Sequence, residues 1–259
     1  MIVSKKGKHT MKLLLLSDIH GNSSAFCAIL NHAAQYPDIG ACILLGDLID
    51  YGMHSNEVLR MARALPYPIL CNIHGNHENA ILNADYSCFS SERGQDSARY
   101  TRSILNDESW DYLRHEMTAD GKKVFVYSEK KCLAVHGSLE DAYWKSIRPE
   151  AELMEYSDYD YVFSGHSHLP HLIEKFYPGQ ETDNTGEITR RCSKKKVIFI
   201  NPGSVGQPRN QNPMAQFVLL DPETEQVSFE KVPYDIESEQ ASYYGQVDDF
   251  YCKRLTWGI

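Results

Sequence analysis

The sequence has no long apolar run, no paired cysteine motif and no excess of positive charge. No apolar stretch approaches the roughly 18–20 residues that span a bilayer. The seven cysteines are an odd number without a Cys-x-x-Cys pair, so neither a disulfide framework nor a zinc ribbon is indicated. A net charge of −9 argues against broad electrostatic binding to nucleic acid or an anionic membrane. We therefore expect a cytoplasmic protein with reduced thiols, without a membrane partner or an extended nucleic-acid partner.

The composition that remains is that of an ordinary globular protein. The chain has 259 residues, of which 42% are hydrophobic, so it can bury a substantial core. No repeat, linker or low-complexity block divides it, which favours one domain over residues 11–259. Residues 1–10 are basic and precede the first apolar run, and we expect a flexible extension there. Met11, directly before that run, is an alternative start to Met1.

Apolar runs alternate with stretches of helical periodicity along the first third of the chain. The runs "KLLLL", "ACILL" and "ILCN" predict buried strands, and the stretches between them predict helices. Strands that alternate with helices are expected to pair in parallel, because the helices form the crossovers. Ser55 is the expected N-cap of the second helix.

Residues 79–118 have a different character, since they are polar and aromatic with helical periodicity in their second half. We expect a helical insertion beside the sheet. Residues 122–138 predict a hairpin, further strands follow, and residues 178–196 predict the tip of a long hairpin.

Metal-binding residue types follow five of the predicted strands directly. They are Asp18 and His20, Asp47, Asn76 and His77, His136, and His166 and His168. The carboxyl ends of parallel strands meet at one crevice, so these sequence-distant side chains can converge. Each cluster also contains a glycine, which permits a tight turn and a close approach of the backbone. One histidine after a strand is ordinarily a turn residue, but the repetition at five strand ends indicates a shared site.

The residue types also constrain the metal. Histidine nitrogens combined with carboxylate and amide oxygens suit Mn, Fe, Zn, Co or Ni better than calcium. The absence of cysteine from the set argues against a structural zinc site. The ligands outnumber what one tetrahedral ion accepts, whereas two divalent ions that share a carboxylate account for them. We expect two transition-metal ions, with manganese first among the candidates.

The motifs D-x-H, G-D-x-x-D, G-N-H-E, H and G-H-x-H, in that order, resemble those of the calcineurin-like metallophosphoesterase superfamily. They extend from Asp18 to His168, and "NPGSVGQPR" at residues 201–209 resembles a small prokaryotic branch of that family. The resemblance covers most of the chain. It implies an α/β fold in which a two-sheet β-sandwich is flanked by helices, in four layers α/β/β/α.

The resemblance also implies a role for each motif residue. The first metal ion would be bound by Asp18, His20 and His168. The second would be bound by Asn76, His136 and His166. Asp47 would bridge the two ions, and His77 would be the catalytic histidine, oriented by Asp50. Glu78, in place of the aspartate of "GNHD", lies within the variation of the family.

The implied function is that of a hydrolase: a phosphodiesterase that cleaves small phosphodiesters or nucleotides by attack of a metal-bridging hydroxide. A dinucleoside polyphosphate (Ap4A-type) hydrolase is the first alternative. A non-catalytic scaffold on the same fold, such as the small retromer subunit, is the second, and the complete motif set with His77 argues against it. Arg209 and His54 are candidate substrate contacts, and Arg209 is favoured because arginine offers phosphate a bidentate fork.

Overall fold

A computed structural model of the protein describes residues 11–182 and 188–259, with side chains over 11–178 and 195–259. The expected N-terminal extension, residues 1–10, lies outside the described residues. The same holds for residues 183–187. The hairpin tip predicted at 178–196 is too long, because strands continue through residues 178–182 and 188–196. The organisation of residues 11–259 as a single domain stays a prediction.

Helices and strands alternate at first, and strands dominate later. The elements up to residue 115 are β1 Lys12–Leu16, α1 Ser23–Ala33, β2 Ile39–Leu44, α2 Ser55–Arg63, β3 Ile69–Asn72, α3 Asn76–Asn83, α4 Glu92–Ile104 and α5 Asp107–His115. The later elements are β4 Lys122–Tyr127, β5 Lys130–Val135, a 3₁₀ helix Met154–Tyr156, β6 Tyr161–Ser164, β7 His171–Thr182, β8 Ile188–Asn201, β9 Ala215–Asp221, β10 Gln226–Val232, α6 Ile236–Ala241 and α7 Asp249–Trp257.

These strands form two mixed sheets of five strands each. The first has the order β10-β9-β1-β2-β3. Its strands β1, β2 and β3 are parallel, and β9 runs antiparallel to both of its neighbours, β1 and β10. The second has the order β4-β5-β6-β8-β7, with β5, β6 and β8 parallel. The parallel pairing expected from strand–helix alternation and the hairpin over residues 122–138 are confirmed.

The leucine run of β1 explains how the layers are joined. Leu13 and Leu15 face the second sheet and pack in the interior of the sandwich. Leu14 and Leu16 face the other way and pack against helices such as α1. Alternate side chains of a strand point to opposite faces, so a strand buried on both faces has a continuous apolar sequence. The fold class, two β-sheets flanked by helices, is confirmed.

The helical insertion is built from three helices, α3, α4 and α5, which lie within or overlap residues 79–118. The expected N-cap of α2 is wrong. The helix already begins at Ser55, and His54 occupies the cap position without a capping side-chain bond. The Ser55 hydroxyl is instead used by the loop after β2, where it accepts the Asp50 N–H at 3.1 Å. In the part of the chain that the structure describes, no helix has the length and apolarity needed to cross a membrane.

Candidate metal centre

The loops that follow the parallel strands of both sheets meet at one edge of the sandwich. Within the first sheet, the His20 N–H donates to the Asp47 carbonyl at 2.9 Å. Within the second, the Gly165 N–H donates to the His136 carbonyl at 2.9 Å. The meeting point holds all of the predicted ligands together with the predicted catalytic histidine. Those residues are Asp18, His20, Asp47, Asn76, His77, His136, His166 and His168, of which all but the half-buried His166 are buried.

The backbone is left-handed at most of these positions. Seven residues of the site have φ between +49° and +75°: Asp18, His20, Asp47, Asp50, Tyr51, His166 and His168. A residue with a Cβ pays about 1–2 kcal/mol in this conformation. Such strain persists only where the surrounding structure holds it, and it clusters at functional sites. In this conformation the short turns direct their metal-binding side chains toward one point.

Two glycines make the crowding possible, as the sequence pattern predicted. A Cβ at Gly75 would lie 2.1 Å from Oδ1 of Asp47. A Cβ at Gly165 would lie 2.1 Å from Oγ of Ser17, whose hydroxyl donates to Asp18. Any larger residue at either position would push a carboxylate away from the centre.

The first cluster contains Asp18, His20, Asp47 and His168, and their ligand atoms lie within 4.8 Å of one another. Nδ1 of His20 lies 3.2 Å from the Ile49 carbonyl, and Nδ1 of His168 lies 2.5 Å from the Gln207 carbonyl. Because a carbonyl only accepts, each Nδ1 carries the proton. The two Nε2 atoms therefore present lone pairs to each other, at 3.1 Å.

Lone pairs at this distance repel unless a cation lies between them. A proton is a poor candidate: burial, followed by the charge of His77, lowers the pKa of His20 well below its ordinary value. Burial, followed by the charge of Arg209, also lowers the pKa of His168. Oδ1 of Asp18 is buried, has no hydrogen-bond partner among the residues that the structure describes, and lies 3.2 Å from Nε2 of His168. These donor atoms fit a divalent metal ion.

The second cluster repeats this arrangement around Asp47, His136 and His166. Nδ1 of His136 donates to the Leu45 carbonyl at 2.7 Å, which turns Nε2 toward Oδ2 of Asp47 at 3.2 Å. Oδ1 of Asn76 lies 3.1 Å from the same Nε2 and 2.9 Å from Nδ1 of His166. Although burial opposes it, the Asp47 carboxylate raises the pKa of His136 to about 9. The cluster thus favours a positive charge, which a metal ion would supply.

Asp47 belongs to both clusters, and its position is held from two sides. Its Oδ1 accepts the His77 N–H at 3.0 Å, which leaves Oδ2 between the clusters. The buried Glu78 carboxylate accepts the Asp47 N–H at 2.8 Å and the Gly75 N–H at 2.7 Å. Glu78 therefore fastens the loop after β2 to the start of α3. This role of Glu78 was not predicted from the sequence, although its position in the first turn of α3 was a usable signal.

His77 and Asp50 form a pair beside the clusters. Nδ1 of His77 donates to Oδ2 of Asp50 at 2.6 Å. Oδ1 of Asp50 accepts the Ser97 hydroxyl at 2.6 Å and the Thr101 hydroxyl at 2.9 Å. It also accepts the Tyr51 N–H at 2.7 Å. Although burial opposes it, the carboxylates of Asp47 and Asp50 raise the pKa of His77.

Ser97 and Thr101 lie one turn apart on α4, so the helical insertion supplies part of the site. The contacts of Ser97 and Thr101 with Asp50 were not predicted from the sequence. Their i, i+4 spacing places both hydroxyls on one helix face, but no sequence signal links that face to Asp50.

A cavity of about 390 Å³ opens over the clusters. Its lining includes His77, His166 and Arg209, the aromatic side chains of Tyr51, Phe89 and Trp144, and the short segment 88–90. Nε of Arg209 is buried without a hydrogen-bond partner among the described residues.

His54 lies elsewhere, with Nδ1 3.1 Å from Oε1 of the buried Glu239. Of the two candidate substrate contacts, the structure therefore places only Arg209 in the lining of the cavity. His54 has an ion-pair partner in Glu239 of α6, a helix that packs beside α1.

A model of the calcineurin-like phosphoesterase superfamily domain matches residues 11–225 of the chain. The chain therefore belongs to the calcineurin-like phosphoesterase superfamily, a family of divalent-metal-dependent phosphoester hydrolases, and the two buried clusters could hold such metal ions.

Individual proteins and solved structures are also similar to this chain. An uncharacterized protein of Methanocaldococcus jannaschii is 28% identical over 231 residues, which are 87% of this chain and 88% of that protein. A symmetrical bis(5'-nucleosyl)-tetraphosphatase of Delftia acidovorans is 26% identical over 188 residues, 73% of this chain and 64% of that enzyme.

The crystal structure of a metallophosphoesterase from Sphaerobacter thermophilus has a TM-score of 0.72 at 24% identity, covering 96% of this chain and 100% of that one. A hypothetical protein of Pyrococcus horikoshii has a TM-score of 0.75 at 20% identity, covering 96% and 99%. These two structures share the fold.

The shared position of Asp47 leads to a prediction about metal content. Asp47→Asn keeps the size of the side chain but removes the charge between the clusters, so we expect bound metal to fall from two ions toward one or none per chain. Elemental analysis after dialysis measures this ratio. Asp111→Asn, an exposed aspartate of α5, is the matched control. Two ions retained in Asp47→Asn would refute the shared role.

Proposed function

We propose that the protein is a dinuclear-metal-dependent phosphodiesterase that hydrolyses small phosphodiesters or nucleotides. The observation that carries this proposal is the pair of buried clusters that share Asp47 at the floor of a small cavity. Phosphoryl transfer chiefly requires positioning and neutralisation of charge, which such a site supplies.

In this proposal each cluster holds one metal ion. Asp18, His20 and His168 would hold the first ion, and Asn76, His136 and His166 would hold the second. Asp47, which belongs to both clusters, would serve both ions. The mixed nitrogen and oxygen donors suit a first-row transition metal, and manganese is our first candidate. When bound, two such ions lower the pKa of a shared water and stabilise the charge on phosphoryl oxygens.

His77 is the proposed catalytic histidine. Asp50 accepts a hydrogen bond from the Nδ1–H of His77, so Nε2 is the ring nitrogen free to face the cavity. There it can donate to a phosphoryl oxygen or to the leaving group. Ser97 and Thr101 hold the Asp50 carboxylate in place from α4, and they act as positioning residues.

The dimensions and lining of the cavity support a small substrate. A volume of about 390 Å³ is in the range of small-molecule sites. Arg209 lines the cavity, and its Nε has no hydrogen-bond partner within the described residues, which suits a phosphate oxygen. Phe89 and Trp144 pack edge-to-face, with ring centroids 5.3 Å apart, and offer an apolar wall to a base or another organic group.

Dinucleoside polyphosphates are the second candidate substrate. The tetraphosphatase of Delftia acidovorans that matches 73% of this chain favours them.

A scaffold role is disfavoured by the intact His77–Asp50 pair and by the complete ligand set. A cytoplasmic location stays a prediction that is supported by unpaired thiols, among them the buried Cys42, Cys71 and Cys132.

A substrate panel tests the proposal directly. We expect the purified chain with Mn²⁺ to hydrolyse bis(p-nitrophenyl) phosphate, and we compare this rate with those for cyclic nucleotides and dinucleoside polyphosphates. Faster turnover of the last group would favour the second candidate. Absence of turnover across the panel, with Mn²⁺ and with other divalent ions, would favour the scaffold.

His77→Ala separates chemistry from metal binding. Loss of a positioned acid–base group typically lowers rates by about 10²–10⁴-fold, and we expect a loss of this size with the metal content unchanged. His115→Ala, which removes an exposed histidine paired with Asp111, is the matched control. Undiminished turnover in His77→Ala would remove this residue from the mechanism.

The double substitution Ser97→Ala, Thr101→Val tests the contribution of α4. Both hydroxyls donate to an ionised carboxylate, and such bonds contribute about 1.5–3 kcal/mol, so we expect kcat to fall at least about tenfold. KM and metal content should remain near the wild-type values. Ser103→Ala on the same helix is the control, and Ser97→Ala, Thr101→Ser should recover part of kcat. A parallel loss of metal would indicate a purely structural role.

A further inference from the structure

The C-terminal helix α7 forms a wall beside the proposed active site. The Tyr251 ring stacks on the Tyr51 ring, with centroids 4.2 Å apart, and the Tyr51 ring lies 4.5 Å from that of His77. At the end of α7, the Gly258 carbonyl accepts the Gln211 N–H at 2.7 Å. This bond fastens the helix to the loop that carries Arg209.

Three arginines from distant parts of the sequence gather along this wall. Arg209 lines the cavity next to Tyr51. Arg254 of α7 and Arg93 of α4 both stack on the Phe250 ring, with guanidinium carbons 4.9 Å and 4.0 Å from its centroid. Arg93 lies in the first turn of α4, three residues after Ser90, which lines the cavity.

No Asp or Glu side chain of the described residues forms an ion pair with any of these three arginines. Arg254 is only 6% exposed, and its Nε donates to the main-chain oxygen of Ile259. Arg60, Arg63 and Arg99 each pair with a carboxylate of the described residues, whereas Arg102 and Arg114, which do not, stack on the Trp110 ring. In a chain of net charge −9, three arginines without an Asp or Glu partner among the described residues concentrate positive charge, which is offset at Arg254 by the bond to the Ile259 oxygen.

The three charges also repel one another. Burial, and then the positive charges of Arg209 and Arg93, lower the pKa of Arg254 to about 10. An anion bound among them would relieve this repulsion. Guanidinium groups stacked on aromatic rings keep their N–H edges free for an oxyanion, and the planar fork matches phosphate.

We propose that Arg93 and Arg254, together with Arg209, form a subsite for a second phosphate group of the substrate, next to the phosphate at the metal centre. The inference rests on the proposed function and narrows it to phosphoesters that carry more than one phosphate. In this arrangement Arg209 lies between the two phosphate positions, and α7 provides the wall along which the second phosphate lies.

Competition between two simple anions tests the subsite. Inorganic phosphate and inorganic pyrophosphate are used as inhibitors of bis(p-nitrophenyl) phosphate hydrolysis by the Mn²⁺-loaded protein. Calorimetric titration of each anion into the same protein gives a binding readout that does not depend on turnover. We expect wild-type protein to bind pyrophosphate at least about tenfold more tightly than phosphate, since a second charged contact of about 1.4 kcal/mol gives that factor.

Two variants and one matched control identify the residues. Arg93→Gln removes an exposed charge. Arg254→Lys keeps the positive charge, which limits the risk to folding, but loses the planar fork of the guanidinium. Each should weaken pyrophosphate binding about tenfold and leave phosphate binding and kcat within about twofold. Arg99→Gln, on the same helix as Arg93 but paired with Asp96, should change neither.

The outcomes are distinct. Equal effects on both anions, or no effect, in Arg93→Gln and Arg254→Lys would overturn the subsite. Absence of hydrolysis by wild-type protein, combined with selective loss of pyrophosphate binding in these variants, would overturn the proposed function and keep the subsite.

Discussion

The convergence of buried lone pairs and carboxylate oxygens on two neighbouring points is the constraint on which the rest of the structure depends. Nε2 of His20 faces Nε2 of His168, and Nε2 of His136 faces Asp47. One oxygen of Asp18 has no hydrogen-bond partner in the described part of the chain. In a low-dielectric interior such an arrangement is unfavourable unless positive charge is added. Divalent ions at these points would turn the same contacts into ligation, and the family to which the chain belongs is divalent-metal-dependent.

The fold holds this arrangement by rigidity rather than by local preference. Seven left-handed residues at the site are each less stable than in an ordinary turn. They are held between strands buried on both faces, such as β1, whose leucines pack into the sandwich on one side and against helices on the other. Bonds from Glu78 to the loop after β2 add to this support. Strain at the turns is thus offset by packing in the layers beneath them.

Much of the fold and of the metal centre could be predicted from the sequence because both depend on local signals. Apolar runs predicted the strands, their alternation with helices predicted parallel pairing, and residue types at strand ends predicted which side chains would meet. The supporting contacts could not be predicted in this way. Ser97 and Thr101 reach Asp50 across about 50 residues of sequence, and Ser55 bonds the loop before its helix instead of capping it. His54 lies near the motif in sequence, yet it pairs with Glu239 of α6.

The sequence by itself determined the class of chemistry, because the residue types after each strand are those that bind metal ions and because parallel strands bring their carboxyl ends to one edge. Only the tertiary structure decided how that chemistry is supported and bounded. The packing of α4 places two hydroxyls on Asp50, and the packing of α7 places Tyr251 against Tyr51, which lines the cavity. These helices reach the site through side-chain packing on surfaces far apart in the chain. Such contacts depend on the three-dimensional path of the whole chain, and no local pattern of residues encodes them.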